Sequence, residues 1–197
     1  MRLITVRHGE TIRNSKHILE GHQHGRLSKL GKEQARLVAQ VLKMEKLDFI
    51  YCSDLKRCKD TLNEISKYHK HIPVIFTKDL RERNVGIFQG KTRNKMENAF
   101  LKFKGGRLSF KPKHGESYLD LKKRVSVFIK YIKVNHNKDQ ILLVTSAGVL
   151  RVINAILTKT SLVKSFAQFK FKNTSISEYE IKNSKVTVRR FNEIKHL

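Results

Sequence analysis

The chain alternates between short apolar runs and longer segments with helical periodicity. Six runs predict strands, and the last two have alternating side chains and are joined at Asn183 and Ser184: Leu3 to Val6, Phe49 to Cys52, Val74 to Phe76, Ile141 to Val144, Ser175 to Ile181 and Lys185 to Val188. We therefore expect an α/β fold, a three-layer α/β/α sandwich. Its central sheet should be mostly parallel, with antiparallel strands added at the end.

Four segments predict helices. Ser28 is expected to cap the first helix, which ends before Leu47, and Ser53 or Asp54 should cap the second. The third covers 117–134 and the fourth 149–157. Apolar stripes are expected to face the sheet at Leu30, Leu37, Val38, Val41 and Leu42 in the first helix and at Leu121, Val125, Phe128, Ile129 and Ile132 in the third.

The segment between Gly86 and Gly115 has poor periodicity and a basic, aromatic composition. We expect it to be an excursion or lid, at about residues 91–114, on a single domain that spans 1–197. Elsewhere, polar clusters at 7–11, 53–57 and 145–148 each follow a predicted strand and precede a helix. Because ligands bind at the carboxyl ends of strands in open α/β sheets, these clusters are expected to converge on one site.

Composition narrows the class of protein. A chain of 197 residues can bury a sizeable core without disulfides or metal, and Cys52 and Cys58 have neither disulfide-framework nor zinc-ligand spacing. No apolar run is long enough for a signal peptide or a membrane span, so we expect a cytoplasmic protein. With 42 Lys+Arg against 17 Asp+Glu, the net charge of +25 predicts attraction to anions: phosphorylated metabolites, nucleic acid or acidic membrane.

Several motifs occur in a characteristic order along the chain. They are Arg7-His8-Gly9-Glu10-Thr11 with Asn14, then Ser53-Asp54-Leu55 with Arg57, then Leu80-Arg81-Glu82-Arg83 with Gly86, and finally Gly115-Glu116-Ser117 with Arg124. Together they resemble the histidine phosphatase superfamily, which has the phosphoglycerate mutase-like fold. Several motifs in the right order and spacing are far more specific than any one of them.

The resemblance implies a phosphomonoester hydrolase that needs no metal or cofactor. His8 would attack the phosphoryl group and become a phosphohistidine, which water then hydrolyses. Arg7 and Arg57 would hold the phosphoryl oxygens, and Glu82 would act as general acid and then base. Further substrate contacts are implied at Asn14, Gly21 and Arg83.

One position departs from the family pattern. Val144 to Gly148 matches the segment that bears the family's second catalytic histidine, but Ser146 stands in that place. Serine donates one neutral hydrogen bond and supplies no cation, and losing a charged donor of this kind costs about 10²–10³ in rate. We expect strongly impaired activity, from either a deliberate substitution or a natural loss. The alternative is a pseudoenzyme that binds phosphorylated ligands or nucleic acid without turnover.

Two further alternatives concern the lid. Mutases of this family usually carry a long insertion before the Gly-Glu-Ser motif, whereas only the 24 residues 91–114 separate Gly90 from Gly115 here. A phosphatase acting on a small phosphorylated metabolite is therefore favoured over a mutase. Basic residues interleaved with Phe100, Phe103 and Phe110 can also bind single-stranded nucleic acid, but a lid with packed phenylalanines and solvated lysines is favoured. Oligomeric state stays open.

Overall fold

The computed structural model describes residues 1–183 and 185–197, so the predicted turn residue Ser184 lies outside the described residues. Six strands form one sheet in the order β3-β2-β4-β1-β5-β6. Their bounds are β1 Arg2–Arg7, β2 Phe49–Ser53, β3 Val74–Thr77, β4 Gln140–Thr145, β5 Ile176–Lys182 and β6 Lys185–Glu193. The first four are parallel, and β5 and β6 add antiparallel pairings. The predicted mostly parallel sheet is confirmed.

Helices pack on both faces of the sheet. Their bounds are α1 Ile12–Ser15, α2 Lys29–Leu42, α3 Lys56–Ser66, α4 Arg93–Leu101, α5 Tyr118–Asn135, α6 Ala147–Leu157 and α7 Leu162–Gln168. Successive residues of β1 point to opposite faces: Leu3 packs with α5 and α6, and Ile4 packs with α2 and α3. These two cores on either side of the sheet confirm the three-layer sandwich.

The predicted apolar stripe of α2 is partly wrong. Leu30 and Val41 are 55% and 40% exposed, and the buried face instead includes Gly31, Ala35 and Ala39. These small residues recur every four positions and let α2 pack closely. Glycine and alanine are only weakly hydrophobic, so the prediction followed the larger apolar side chains beside them. The predicted stripe of α5 is fully buried.

The predicted cap of α3 is also wrong. The residue before the helix is Leu55, whose side chain makes no capping hydrogen bond. The Asp54 carboxylate instead accepts two hydrogen bonds from Arg81, at 2.6 and 2.5 Å. Arg81 holds the pKa of Asp54 below its usual range. A carboxylate that could have capped a helix therefore fixes the segment after β3 to the end of β2.

The segment 91–114 contains α4 and a small aromatic cluster. Phe110 makes edge contacts with Phe100 and Phe103, at centroid distances of 5.9 and 5.4 Å. Arg107 forms a bidentate pair with Glu97. The phenylalanines thus pack on one another, while Lys102, Lys104, Lys111 and Lys113 are exposed. Within the described residues, no helix is long and apolar enough to cross a membrane.

Candidate active site

Three strand ends meet at one edge of the sheet, because β2, β4 and β1 are neighbours and parallel. The His8 backbone N–H donates to the carbonyl of Thr145, at 2.9 Å. The buried hydroxyl of Thr61 in α3 accepts from the N–H of Gly9 and donates to the carbonyl of Arg57. The loop after β1, the end of β4 and the first turn of α3 are therefore fixed to one another.

His8 is buried and held by hydrogen bonds on both ring nitrogens. Its Nδ1 lies 2.7 Å from the carbonyl oxygen of Gly9, and its Nε2 lies 3.2 Å from Nε of Arg57. Because a carbonyl only accepts and a guanidinium only donates, the ring carries its proton on Nδ1 and a lone pair on Nε2. Burial, and then the charges of Arg57 and Arg7, hold the pKa of His8 well below its usual value.

Arg57 is 1% exposed and bonded through all three of its nitrogens. Besides the contact with His8, Nη1 donates to the carbonyl of Gln23 at 3.0 Å and Nη2 to that of Gly21 at 2.9 Å. The carboxylate of Glu20 lies 3.8 Å from Nε, and burial raises the pKa of Glu20. Gly21 thus contributes its backbone carbonyl oxygen to the site, as an acceptor for Arg57.

Arg7 points into the same cavity. Its Nη1 donates to the carbonyl of Phe171 at 2.8 Å, and its buried Nε has no hydrogen-bond partner among the described residues. Burial, together with the charges of neighbouring arginines, lowers the pKa of Arg7 to about 10, although the charge of Glu82 acts in the opposite direction. The side chain still carries its charge at neutral pH, and this charge at the cavity wall favours an anion.

Glu82 lies at the amino end of α6. Its Oε1 accepts from the N–H of Arg83 at 2.7 Å and its Oε2 from the N–H of Gly148 at 3.0 Å. A Cβ on residue 148 would lie 2.1 Å from Oε1, so this approach needs glycine. The carboxylate is fixed by two backbone donors at the wall of the cavity.

The cavity has a volume of about 190 Å³ and brings together seven of the eight residues singled out in the sequence. They are Arg7, His8, Asn14, Gly21, Arg57, Glu82 and Arg83. Asn14 accepts from the N–H of Thr11 through its oxygen, which leaves its NH₂ group to donate elsewhere. Arg83 is buried, with its guanidinium 4.0 Å from the ring centroid of Tyr118.

Ser146 is the one residue of these eight that does not line the cavity. It is fully buried behind the cavity wall formed by Ala147 and Gly148, and its Oγ lies 4.0 Å from Sγ of Cys58. The position that follows β4 therefore contributes no side chain to the cavity lining.

Sequence reasoning missed three charged residues of the lining: Glu20, Arg93 and Arg151. Arg151 was detectable, because it is the one charged residue in the mostly apolar sequence of α6. Arg93 has no such signal, since it lies among many basic residues of the lid. In the described part of the chain, no group of three or more His, Cys, Asp or Glu residues is arranged to hold a metal ion.

Comparison with known proteins agrees with this geometry. The family model described as histidine phosphatase superfamily, branch 1, matches residues 3–194. The chain belongs to the histidine phosphatase superfamily. Membership makes it an enzyme of the phosphatase class, whose relatives hydrolyse phosphomonoesters.

Individual relatives cover nearly the whole of this histidine phosphatase. A metal-independent phosphoserine phosphatase of Arabidopsis thaliana is 31% identical, covering 99% of this chain and 82% of the relative. The structure of YhfR from Bacillus stearothermophilus superposes with a TM-score of 0.89 and 26% identity, covering 99% and 98% of the two chains. The alpha-ribazole phosphatase of Shigella flexneri gives 0.89 and 26%, covering 98% and 96%.

The lowered pKa of His8 predicts a pH dependence of stability. The unfolded chain takes up a proton at His8 near the ordinary pKa of 6.5, whereas the folded chain does so only at lower pH. The free energy of unfolding should therefore fall as the pH drops below 6.5, by up to about 1.4 kcal/mol per pH unit. His8→Gln should remove this part of the slope in urea unfolding between pH 7.5 and 5.5.

His71→Gln is the matched control, because the His71 side chain is exposed and lies in the turn between α3 and β3, at the opposite edge of the sheet from this network. It should retain the slope of the parent chain. An unchanged slope in His8→Gln would show that the buried ring is not the group that resists protonation.

Proposed function

We propose that this histidine phosphatase hydrolyses a small phosphorylated metabolite through a phosphohistidine on His8, and that Ser146 strongly impairs the reaction. The observation that carries the proposal is the orientation of His8. Its unprotonated Nε2 faces a cavity lined by Arg7 and Arg57, while the carbonyl of Gly9 holds the proton on Nδ1. A neutral imidazole with a fixed lone pair is a nucleophile at neutral pH.

The proposed reaction has two steps. First, Nε2 of His8 forms a bond to phosphorus, the ester P–O bond breaks, and the leaving oxygen takes a proton from Glu82. Then water gives a proton to Glu82 and its oxygen bonds to phosphorus, while the N–P bond breaks and releases inorganic phosphate. Arg7 and Arg57 stabilise the phosphoryl oxygens throughout, with Asn14 as a neutral donor.

The position of Ser146 supports the proposed impairment. Its hydroxyl lies next to Cys58 inside the core, so no cation from this position faces the phosphoryl group. The other residues proposed to be catalytic line the same cavity, and this favours slow hydrolysis over binding without turnover. The proposal also includes a single domain over 1–197 and a short lid at 91–114 that admits water. The proposed compartment is the cytoplasm, because buried free thiols are typical of a reducing environment.

A trapping experiment tests the covalent step. The chain is incubated with p-nitrophenyl phosphate, denatured in base, where phosphohistidine is stable, and examined by peptide mass spectrometry. We expect one phosphoryl group on His8 that is lost on acid treatment and absent from His8→Ala. The proposal is wrong if neither this chain nor Ser146→His carries the label.

A further inference from the structure

Glu20 places a buried carboxyl group in the wall of the cavity, and the reaction proposed above gives it no role. It is 6% exposed and lines the cavity together with Arg7, His8 and Arg57. Its Oε1 has no hydrogen-bond partner among the described residues, and it packs so closely on Gly25 that a Cβ there would clash with it. An ionised carboxylate is costly in such a place, because burial removes water that would solvate the unpartnered oxygen.

Arg57 does not offer Glu20 a direct hydrogen bond. The Oε2 atom of Glu20 lies 3.8 Å from Nε of Arg57. That Nε donates to His8, and the two other nitrogens donate to the carbonyls of Gly21 and Gln23. The guanidinium therefore attracts the carboxylate by its charge alone, and one nitrogen of Arg57 has the nucleophile on one side and a carboxyl group on the other.

The surroundings of Glu20 act on its proton in both directions. Burial raises the pKa of Glu20 and is the dominant effect. The opposing groups are the charges of Arg57 in α3, Arg13 in α1 and Arg7 in β1, and the hydroxyl of Thr11. A phosphoryl group held by Arg57 brings further negative charge close to Glu20, and like charges in one buried site disfavour the ionised carboxylate.

We propose that Glu20 takes up one proton when a phosphoryl group binds to Arg57, so that its carboxyl group donates a hydrogen bond to a phosphoryl oxygen. The proton passes from the solvent to the carboxylate, and no other bond is made or broken. The inference rests on the proposed function, because it assumes that Arg57 holds the phosphoryl group. Since the complex holds one proton more than the separate partners, a dianionic ligand binds more weakly as the pH rises.

Calorimetry with tungstate on the unmodified chain measures this proton. Tungstate is tetrahedral like a phosphoryl group and is a dianion at pH 7.5, so it brings no proton of its own. Titrations in MOPS and in Tris, whose ionisation enthalpies differ, give the number of protons taken up for each tungstate bound. We expect about half a proton or more, and a dissociation constant that rises by up to about tenfold between pH 7 and 8. Binding without proton uptake overturns the proposal.

Glu20→Gln assigns the proton to this residue. Glutamine keeps the shape of the side chain and has an N–H donor at every pH, so the uptake should vanish. The dissociation constant should then change less than about twofold between pH 7 and 8. Glu33→Gln is the matched control for charge, because Glu33 is exposed and pairs with Arg36 on α2. An equal loss of uptake in Glu33→Gln would mean that net charge sets the uptake, and would overturn the proposal.

His8 and Glu82 are the other groups of the cavity lining that can accept a proton near neutral pH. His8→Gln and Glu82→Gln should therefore both retain the uptake. Uptake that persists in Glu20→Gln and disappears in one of these two variants would place the proton on that residue and overturn the proposal. Failure of the His8 label with this proton uptake intact would overturn the proposed function alone.

Discussion

Replacing Ser146 by histidine is expected to raise the turnover of p-nitrophenyl phosphate by about 10²–10³, because a long cationic donor then reaches the phosphoryl oxygens. The gain corresponds to about 3–4 kcal/mol of transition-state stabilisation. Steady-state release of nitrophenolate by Ser146→His and by the parent chain measures it. His8→Ala serves as the blank.

Cys58 decides how this variant is best made. Both Ser146 and Cys58 are fully buried, with Oγ and Sγ 4.0 Å apart, so a larger side chain at 146 needs space there. Ser146→His combined with Cys58→Ala supplies that space, and Cys58→Ala alone is the control. If the double variant folds, binds inorganic phosphate and still turns over no faster than the blank, the chain is a binding protein and the phosphatase proposal fails.

Glu82→Gln, made in the Ser146→His background, should slow the transfer of phosphate from an alkyl ester to His8 by about 10²–10⁴. An alkoxide is a poor leaving group and needs the proton that Glu82 supplies, whereas nitrophenolate leaves without one. The same variant should therefore slow transfer from p-nitrophenyl phosphate much less. Rapid-quench measurement of His8 phosphorylation separates this step from the later hydrolysis.

Glutamine keeps the shape of the side chain and one oxygen that can accept from Gly148, while its NH₂ group replaces the oxygen that accepts from the N–H of Arg83, so one of the two backbone hydrogen bonds is lost. Equal slowing of the alkyl and aryl esters would show that Glu82 positions other groups and transfers no proton. Asp79→Asn is a suitable control, because Asp79 is an exposed carboxylate on the same segment, bonded to Thr77.

The sheet and the place of the site were predictable because they depend on patterns that are strong in sequence. Buried strands such as Ile141 to Val144 are continuous apolar runs, and parallel strands bring the loops that follow them to one edge. His8, Arg57 and Glu82 were identified because each lies in a motif whose neighbouring residues also match the family pattern. The buried face was harder to assign in α2, where Gly31, Ala35 and Ala39 share it with larger apolar side chains.

Arg93, a residue of the cavity lining, illustrates what could not be predicted from the sequence. Arg93 is one of many basic residues in the lid, and nothing in its neighbours marks it as facing the cavity. The ion pair between Asp54 and Arg81 likewise depends on two loops that the sheet brings together from separate strands. In both cases the relevant partner is distant along the chain, so the contact becomes visible only in three dimensions.

Three hydrogen bonds hold Arg57 against His8, the proposed nucleophile. Two of its nitrogens are held by the carbonyls of Gly21 and Gln23, and the third covers the lone pair of His8. A phosphoryl group can take that nitrogen only by drawing it away from the ring. Because one lone pair cannot accept from Arg57 and bond to phosphorus at the same time, Nε2 of His8 becomes reactive only when this hydrogen bond breaks.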